Sequence, residues 1–151
     1  MDGDSSKIEK KNIEENWSTT VRFAGDSGDG MQLTGGRLTF EAAISGMGLA
    51  TFPDYPAEIR APAGTTFGVS SFQVRFGKGL IASSGDHADI LVAMNPAALK
   101  VNIKEVLPGG LIIIDSSSFN DRGIKKAGKF MQDLYVAEDD IWKIINYFII
   151  I

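Results

Sequence analysis

Thr19-Thr20-Val21-Arg22-Phe23-Ala24-Gly25-Asp26-Ser27-Gly28-Asp29-Gly30-Met31-Gln32-Leu33-Thr34-Gly35-Gly36 is the stretch on which the rest of the chain turns. Thr19-Thr20-Val21-Arg22-Phe23 reads as a strand. Met31 to Ser45 carries helical spacing. Between them, Gly25, Gly28 and Gly30 free the turn for positive φ and for close approach of a ligand to the backbone. The first helical turn then offers N–H groups that lack intrahelical partners, and with the helix dipole these suit an anion. Asp26 and Asp29 oppose that, because carboxylates repel phosphate. They fit a capping role, or a role toward hydroxyls, amines or a metal. The glycine order is G-x-x-G-x-G, not the G-x-G-x-x-G of a dinucleotide fingerprint, and Leu33 stands where the third glycine would be. No lysine lies between Lys11 and Lys78, so no phosphate-binding Gly-Lys-Ser/Thr loop is present. A turn that is glycine-rich for packing alone is the competing reading.

The helix has two apolar stripes. At 100° per residue, Met31, Gly35, Leu38 and Ala42 fall on one side and Leu33, Gly36, Phe40 and Ile44 on the other. A surface helix has one such stripe. Two opposed stripes predict a helix covered by the sheet on one side and by a further layer or a partner on the other. Gly35 and Gly36 permit close approach there.

Leu49–Phe52 reads as a short strand ended by Pro53-Asp54-Tyr55-Pro56, and the loop continues through Glu58-Ile59-Arg60-Ala61-Pro62-Ala63-Gly64. Phe67–Phe76 favours strand, but its alternation changes phase, which predicts a bulge near Ser70-Ser71. Gly77-Lys78-Gly79 reads as a tight turn into Leu80-Ile81-Ala82, a hairpin. Asp89–Met94 is almost wholly apolar, as a strand buried on both faces should be. Asn95-Pro96 follows as an N-cap with proline at the first helical position. That helix should reach about Val106, be stopped by Pro108-Gly109-Gly110, and lead to a second buried strand, Leu111–Asp115. Strand–helix–strand implies parallel pairing. Residues 120–135 are weakly helical. Ile141–Ile151 reads either as a buried terminal strand or as the run of a truncated chain, and truncation is the favoured reading. The predicted fold is a layered α/β domain with a largely parallel, partly mixed sheet.

The chain has 151 residues, a net charge of −4, one histidine and no cysteine. The charge gives no basis for general nucleic-acid binding. Without cysteine there is no disulfide, thiolate nucleophile or cysteine-held iron–sulfur cluster within it. His87 alone makes no histidine-rich metal site, and no triad, carboxylate dyad or metal cluster stands out, so no catalytic or metal-binding residue is assigned. Residues 1–16 read as a polar tail preceding a domain over 17–151. No apolar run reaches transmembrane length and no signal peptide is evident, which predicts a cytoplasmic protein with no membrane partner.

Three blocks carry a resemblance: Arg22 to Gly35, Ala50-Thr51-Phe52-Pro53-Asp54-Tyr55-Pro56-Ala57-Glu58-Ile59-Arg60-Ala61-Pro62-Ala63-Gly64, and Val92-Ala93-Met94-Asn95-Pro96-Ala97-Ala98-Leu99-Lys100-Val101-Asn102. In this order they resemble the gamma domain of the 2-oxoacid:ferredoxin oxidoreductases, most closely the N-terminal part of the 2-oxoglutarate:ferredoxin oxidoreductase alpha subunit. The likeness covers roughly residues 19–118. It implies a three-layer, Rossmann-like domain. It also implies a part in oxidative decarboxylation of a 2-oxoacid to an acyl-CoA, with electrons passed to ferredoxin through the complex. Thiamine diphosphate and iron–sulfur clusters would belong to partner domains or subunits, namely a thiamine-binding domain and a beta subunit. Coenzyme A is the one ligand the resemblance associates with this domain. The residues assigned to it are Gly25, Asp26, Ser27, Gly28, Asp29, Gly30, Arg60, Thr65 and Asn95. Asn95 is explained as well by capping, and Arg60 by an ion pair with Glu58. Two other readings stand beside this one. The first is a structural assembly domain, with Tyr55, Pro56 and Ile59 at an interface. The second is an independent nucleotide-binding module, with Asp54 at the ribose.

Overall fold

The computed structural model describes residues 17–26, 28–54, 69–128 and 147–150. Nine elements follow one another: β1 (Ser18–Asp26), α1 (Met31–Ile44), β2 (Gly48–Asp54), β3 (Val69–Gly77), β4 (Ala88–Ala93), α2 (Pro96–Asn102), β5 (Val106–Ile114), α3 (Asp121–Ala127) and β6 (Tyr147–Ile150). The strands form one sheet in the order β2-β3-β1-β4-β5-β6. β4 is parallel to β1, β5 to β4, and β6 to β5. β3 is antiparallel to both β1 and β2. β2 therefore runs in the direction of β1, with β3 inserted between them. Five parallel strands and one reversed strand make the largely parallel, partly mixed sheet that the sequence predicts.

Side-chain parity sorts the core into two layers. Val21 and Phe23 of β1, Val74 of β3 and Met31 of α1 pack on one face. Ala24, Leu91, Ala93, Ile112 and Ile114 point to the other, where Ala97, Ala98 and Leu99 of α2 and Ala127 of α3 meet them. Helices thus cover both faces. The small residues of β1, β4 and α2 let that helix lie close to the sheet. Gly35 does the same for α1: a Cβ there would run into the Phe72 ring.

The α2 face also holds a polar cluster. Gln73, on the central part of β3, is almost wholly buried. Its Nε2 donates to the carbonyls of Ser84 (2.9 Å) and Gly85 (2.6 Å), and its Oε1 accepts from Arg22 Nε at 2.8 Å. Arg22 also donates to buried Asn102 Oδ1 at 3.0 Å, and Asn102 Nδ2 donates to Ala98 O. Buried polar groups are costly unless paired, and here each serves the next. The cluster fixes the connection after β3 and the end of α2 to the sheet.

Several sequence expectations are corrected. No bulge interrupts β3: its register runs unbroken from Val69 to Gly77 against β1 and from Ser71 to Gly77 against β2. Phe72, Val74 and Phe76 serve the α1 face and Val69 the α2 face, so both parities are satisfied without a shift. Leu80–Ala82 is not a strand. β3 already has a strand on each edge, and Leu80 is 94% exposed. β2 continues through Pro53 to Asp54, tolerable because β2 is an edge strand and proline needs no ladder partner there. α2 ends at Asn102, followed by a 3₁₀ turn at Ile103–Glu105. Pro108-Gly109-Gly110 lies inside β5, where the pairing with β4 jumps from Val106 to Leu111. Of the weak helix expected over 120–135, Asp121–Ala127 is helical, and residues 129–135 lie outside the described residues.

Candidate functional site

The parallel strands all end on one edge of the sheet. From β1 the chain passes through α1 on one face toward β2. From β4 it passes through α2 on the other face toward β5. The divergence leaves a topological switch point between the ends of β1 and β4, the place where open α/β sheets bind ligands. The glycine turn and Asn95 stand on either side of it.

Gly28 and Gly30 have φ of 104° and 82°, so the turn uses the freedom that glycine provides. Asp29 N donates to Asp26 O at 3.0 Å, and Gly30 is the N-cap of α1, with no side chain capping it. The expectation that Asp29 caps this helix is corrected here. Asp29 Oδ2 instead accepts from the Asp26 backbone N–H at 2.8 Å and from Asn95 Nδ2 at 3.2 Å. Gly25 makes room for this. A Cβ there would lie 3.0 Å from Asp29 Oδ2 and 3.3 Å from Met94 Cβ. Asn95 uses both ends of its amide, because its Oδ1 accepts from Ala98 N at 2.8 Å and caps α2. The capping role predicted for Asn95 is therefore present, joined to a link across the switch point.

Beside this link lies an open crevice of about 400 Å³, floored by Val92, Met94 and Ile113 and rimmed by Asp29, Asp115 and Ser118. Among the described residues its lining includes no lysine or arginine. Asp115 Oδ1 accepts from Ser117 N at 2.9 Å and from Ser117 Oγ at 2.7 Å, and its Oδ2 accepts from Ser118 Oγ at 3.0 Å. The Ser117 hydroxyl first, then the Ser117 amide and the Ser118 hydroxyl, hold its carboxyl below the ordinary aspartate range. An anionic rim over an apolar floor suits a neutral or cationic group with an apolar body. It does not suit a bare phosphate.

Of the residues assigned from sequence, Gly25, Asp26, Asp29, Gly28, Gly30 and Asn95 are brought together at this edge. Ser27, Arg60 and Thr65 lie outside the described residues, as do Tyr55, Pro56, Glu58 and Ile59. His87 sits apart in the connection before β4, more than half exposed, with Nδ1 4.0 Å from Glu105 Oε2. Asp54 ends β2 at the same edge, but β3 stands between it and β1, about 10 Å of sheet at the usual strand spacing. That removes it from the ribose position of a dinucleotide site. Asp115 and Ser118 are crevice residues the sequence reading left without a role. The signal was available: Asp115 follows a buried parallel strand just as Asn95 does. Among the described residues no group of three or more His, Asp or Glu is placed to hold a metal ion, and no helix is long and apolar enough to cross a membrane.

Comparisons with known proteins agree with this fold. Over 121 residues the chain is 59% identical to the 2-oxoglutarate oxidoreductase subunit KorA of Mycobacterium tuberculosis, a match covering 80% of this chain and 18% of that relative. It thus spans less than a fifth of the curated relative's length. The 2-oxoglutarate:ferredoxin oxidoreductase from Magnetococcus marinus, solved with 2-oxoglutarate, coenzyme A and succinyl-CoA bound, is 28% identical with a TM-score of 0.57, over 65% of this chain and 16% of that one. The pyruvate oxidoreductase subunit PORC of Thermotoga maritima shares the fold at 19% identity and a TM-score of 0.53, over 74% of this chain and 57% of that one. The keto/oxoacid ferredoxin oxidoreductase gamma subunit of Geobacter sulfurreducens does so at 23% and 0.52, over 67% and 52%. The sequence profile of the pyruvate ferredoxin/flavodoxin oxidoreductases matches residues 20–145, most of the chain, and the chain belongs to that family.

Proposed function

We propose that this chain is the gamma-type domain of a 2-oxoglutarate:ferredoxin oxidoreductase, standing at the coenzyme A side of the active site and in contact with partner domains. The observation that carries this reading is the 59% identity to a 2-oxoglutarate oxidoreductase subunit over most of the chain. A structural relative holding coenzyme A and succinyl-CoA supports the ligand. The reaction joins a 2-oxoacid and coenzyme A into an acyl-CoA and carbon dioxide, and two electrons pass to ferredoxin. Thiamine diphosphate supplies the carbanion chemistry when bound and iron–sulfur clusters carry the electrons. Both are assigned to partner domains and subunits. With no cysteine this chain offers no thiolate to a cluster.

The chain's own task is binding and positioning. The turn residues Gly25, Asp26, Gly28, Asp29 and Gly30 hold the switch-point edge in one shape together with Asn95, and Ser27 is assigned to the ligand beside them. The crevice beside it, apolar below and anionic at the rim, fits the amide-bearing arm of coenzyme A better than its phosphates. The phosphates are assigned to Arg60, with Thr65 as a further donor; a guanidinium offers a bidentate fork to phosphate. The domain is taken to work in the cytoplasm.

A purely structural role is the second reading, favoured by the exposed apolar stripe on α1. The nucleotide-module reading loses its footing with Asp54 two strands from β1. The test is reduction of a viologen dye. The assembled enzyme that includes this chain should reduce it with 2-oxoglutarate and coenzyme A both present, and the 151-residue chain alone should not. Turnover by the chain alone, or no 2-oxoglutarate-dependent turnover by the assembly, refutes the proposal.

A further inference from the structure

α1 shows water the stripe that its periodicity predicts. Leu33, Phe40 and Ile44 are 66%, 62% and 64% exposed, while Met31 and Ala42 on the opposite side are buried. Gly36 lies within the stripe, and the space above it is open. Arg37 and Glu41, one turn apart, form one flank and are both exposed. Neither makes an ion pair with another described residue. The other flank carries Ala43 and Thr39, whose hydroxyl already donates to Gly35 O at 2.8 Å.

This face is complementary to itself. When two such helices pack antiparallel about a two-fold axis, each flank meets the same flank of the other copy, read in reverse. With the axis near Leu38–Thr39, Arg37 of one copy faces Glu41 of the other, twice. Phe40 lies over the open Gly36 of the other copy, also twice. Ile44 comes beside the opposite Leu33. The uncharged flank closes on itself without burying a lone charge. Antiparallel dipoles add to the match, and a two-fold contact of this kind closes after two copies.

We propose that α1 is a self-pairing surface through which two copies of this chain dock antiparallel, by Leu33, Phe40 and Ile44, with reciprocal Arg37–Glu41 pairs. One helix face is smaller than the roughly 800 Å² per partner of a standard interface, so the dimer is weak and depends on concentration. The inference does not rest on the coenzyme A reading.

Sedimentation equilibrium of the 151-residue chain, from a few micromolar to several hundred, tests it. The wild-type chain should follow a monomer–dimer equilibrium, and Phe40→Asp should remove it. Arg37→Glu and Glu41→Arg, each with unchanged circular dichroism, should weaken self-association about tenfold or more. Each then opposes like charges across the axis. An equimolar mixture of the two variants should associate again, as a heterodimer. Rescue in trans separates this arrangement from any effect of the Arg37–Glu41 spacing within one helix. A wild-type chain that stays monomeric throughout, association that survives Phe40→Asp, or a mixture no tighter than its components overturns the proposal.

Discussion

Gly35 and Gly36 are neighbours in one helix, yet alanine should move stability in opposite directions at the two positions. Both have ordinary helical backbones, so alanine gains helix propensity at each, about 0.8–1.0 kcal/mol. At Gly36 nothing lies within 4 Å of an added Cβ, and the gain is kept. At Gly35 the new methyl group meets the Phe72 ring, whose Cε1 and Cγ would be 2.9 Å away and whose Cδ1 would be closer still. Phe72 packs against the core beneath α1, so it has little room to retreat. Overpacking of this kind costs about 1–3 kcal/mol. After the propensity gain, Gly35→Ala should destabilise by about 0–2 kcal/mol and Gly36→Ala should stabilise by about 1 kcal/mol. The gap between them, on the order of 1–3 kcal/mol, is insensitive to the unfolded state, because both variants change that state alike. Urea unfolding followed by circular dichroism at low micromolar concentration measures it. A gap of zero, or the reverse order, would mean that α1 does not press Gly35 onto Phe72, and the packing assigned to this face would fall.

Gln73→Leu removes the acceptor of Arg22 Nε and the donor shared by the carbonyls of Ser84 and Gly85. It should destabilise by about 2–4 kcal/mol, since each buried polar group left unpaired costs about 1–3 kcal/mol; a loss under about 0.5 kcal/mol in urea unfolding would show the cluster to be incidental. Asp115 should titrate below the ordinary aspartate range by carboxyl-carbon NMR. A depressed carboxyl stabilises the turn above its unfolded pKa, and that support is lost as pH falls through the lower folded value. Ser117→Ala, which removes the hydroxyl hydrogen bond to Asp115, should bring the midpoint up toward normal, and an unmoved midpoint would contradict the hydrogen-bond account.

The parts of the fold legible in the sequence are those where local chemistry and tertiary packing agree. The run Asp89–Met94 followed by Asn95-Pro96 forms a buried strand and a capped helix because burial, cap and proline all point the same way. The two stripes of α1 were equally plain, since helical spacing is a geometric fact. The errors lie where tertiary context decides. Nothing local reveals that β3 has a strand on each edge, so Gly77-Lys78-Gly79 reads as a hairpin turn when it leads into a connection. The phase change at Ser70-Ser71 resembles a bulge only if one face of β3 meets solvent, and both are covered. Asp29 has the chemistry of a helix cap, but its partner, Asn95, is 66 residues away. At the candidate site the glycine turn was legible as a turn. Its meeting with Asn95 at the switch point, and the place of Asp115 and Ser118 on the crevice, depend on strand order.

The central claim, that this domain binds coenzyme A with Arg60 at a phosphate, is tested most directly by Arg60→Ala in the assembled enzyme. Steady-state dye reduction should show the apparent KM for coenzyme A raised on the order of 10- to 100-fold, the equivalent of about 1.5–3 kcal/mol for a hydrogen bond to a charged group. The KM for 2-oxoglutarate should stay within about twofold. Arg60→Lys should recover part of the loss, because lysine keeps the charge without the bidentate geometry. Unchanged coenzyme A kinetics in an intact complex, or a parallel fall of every activity with loss of assembly, would contradict the claim.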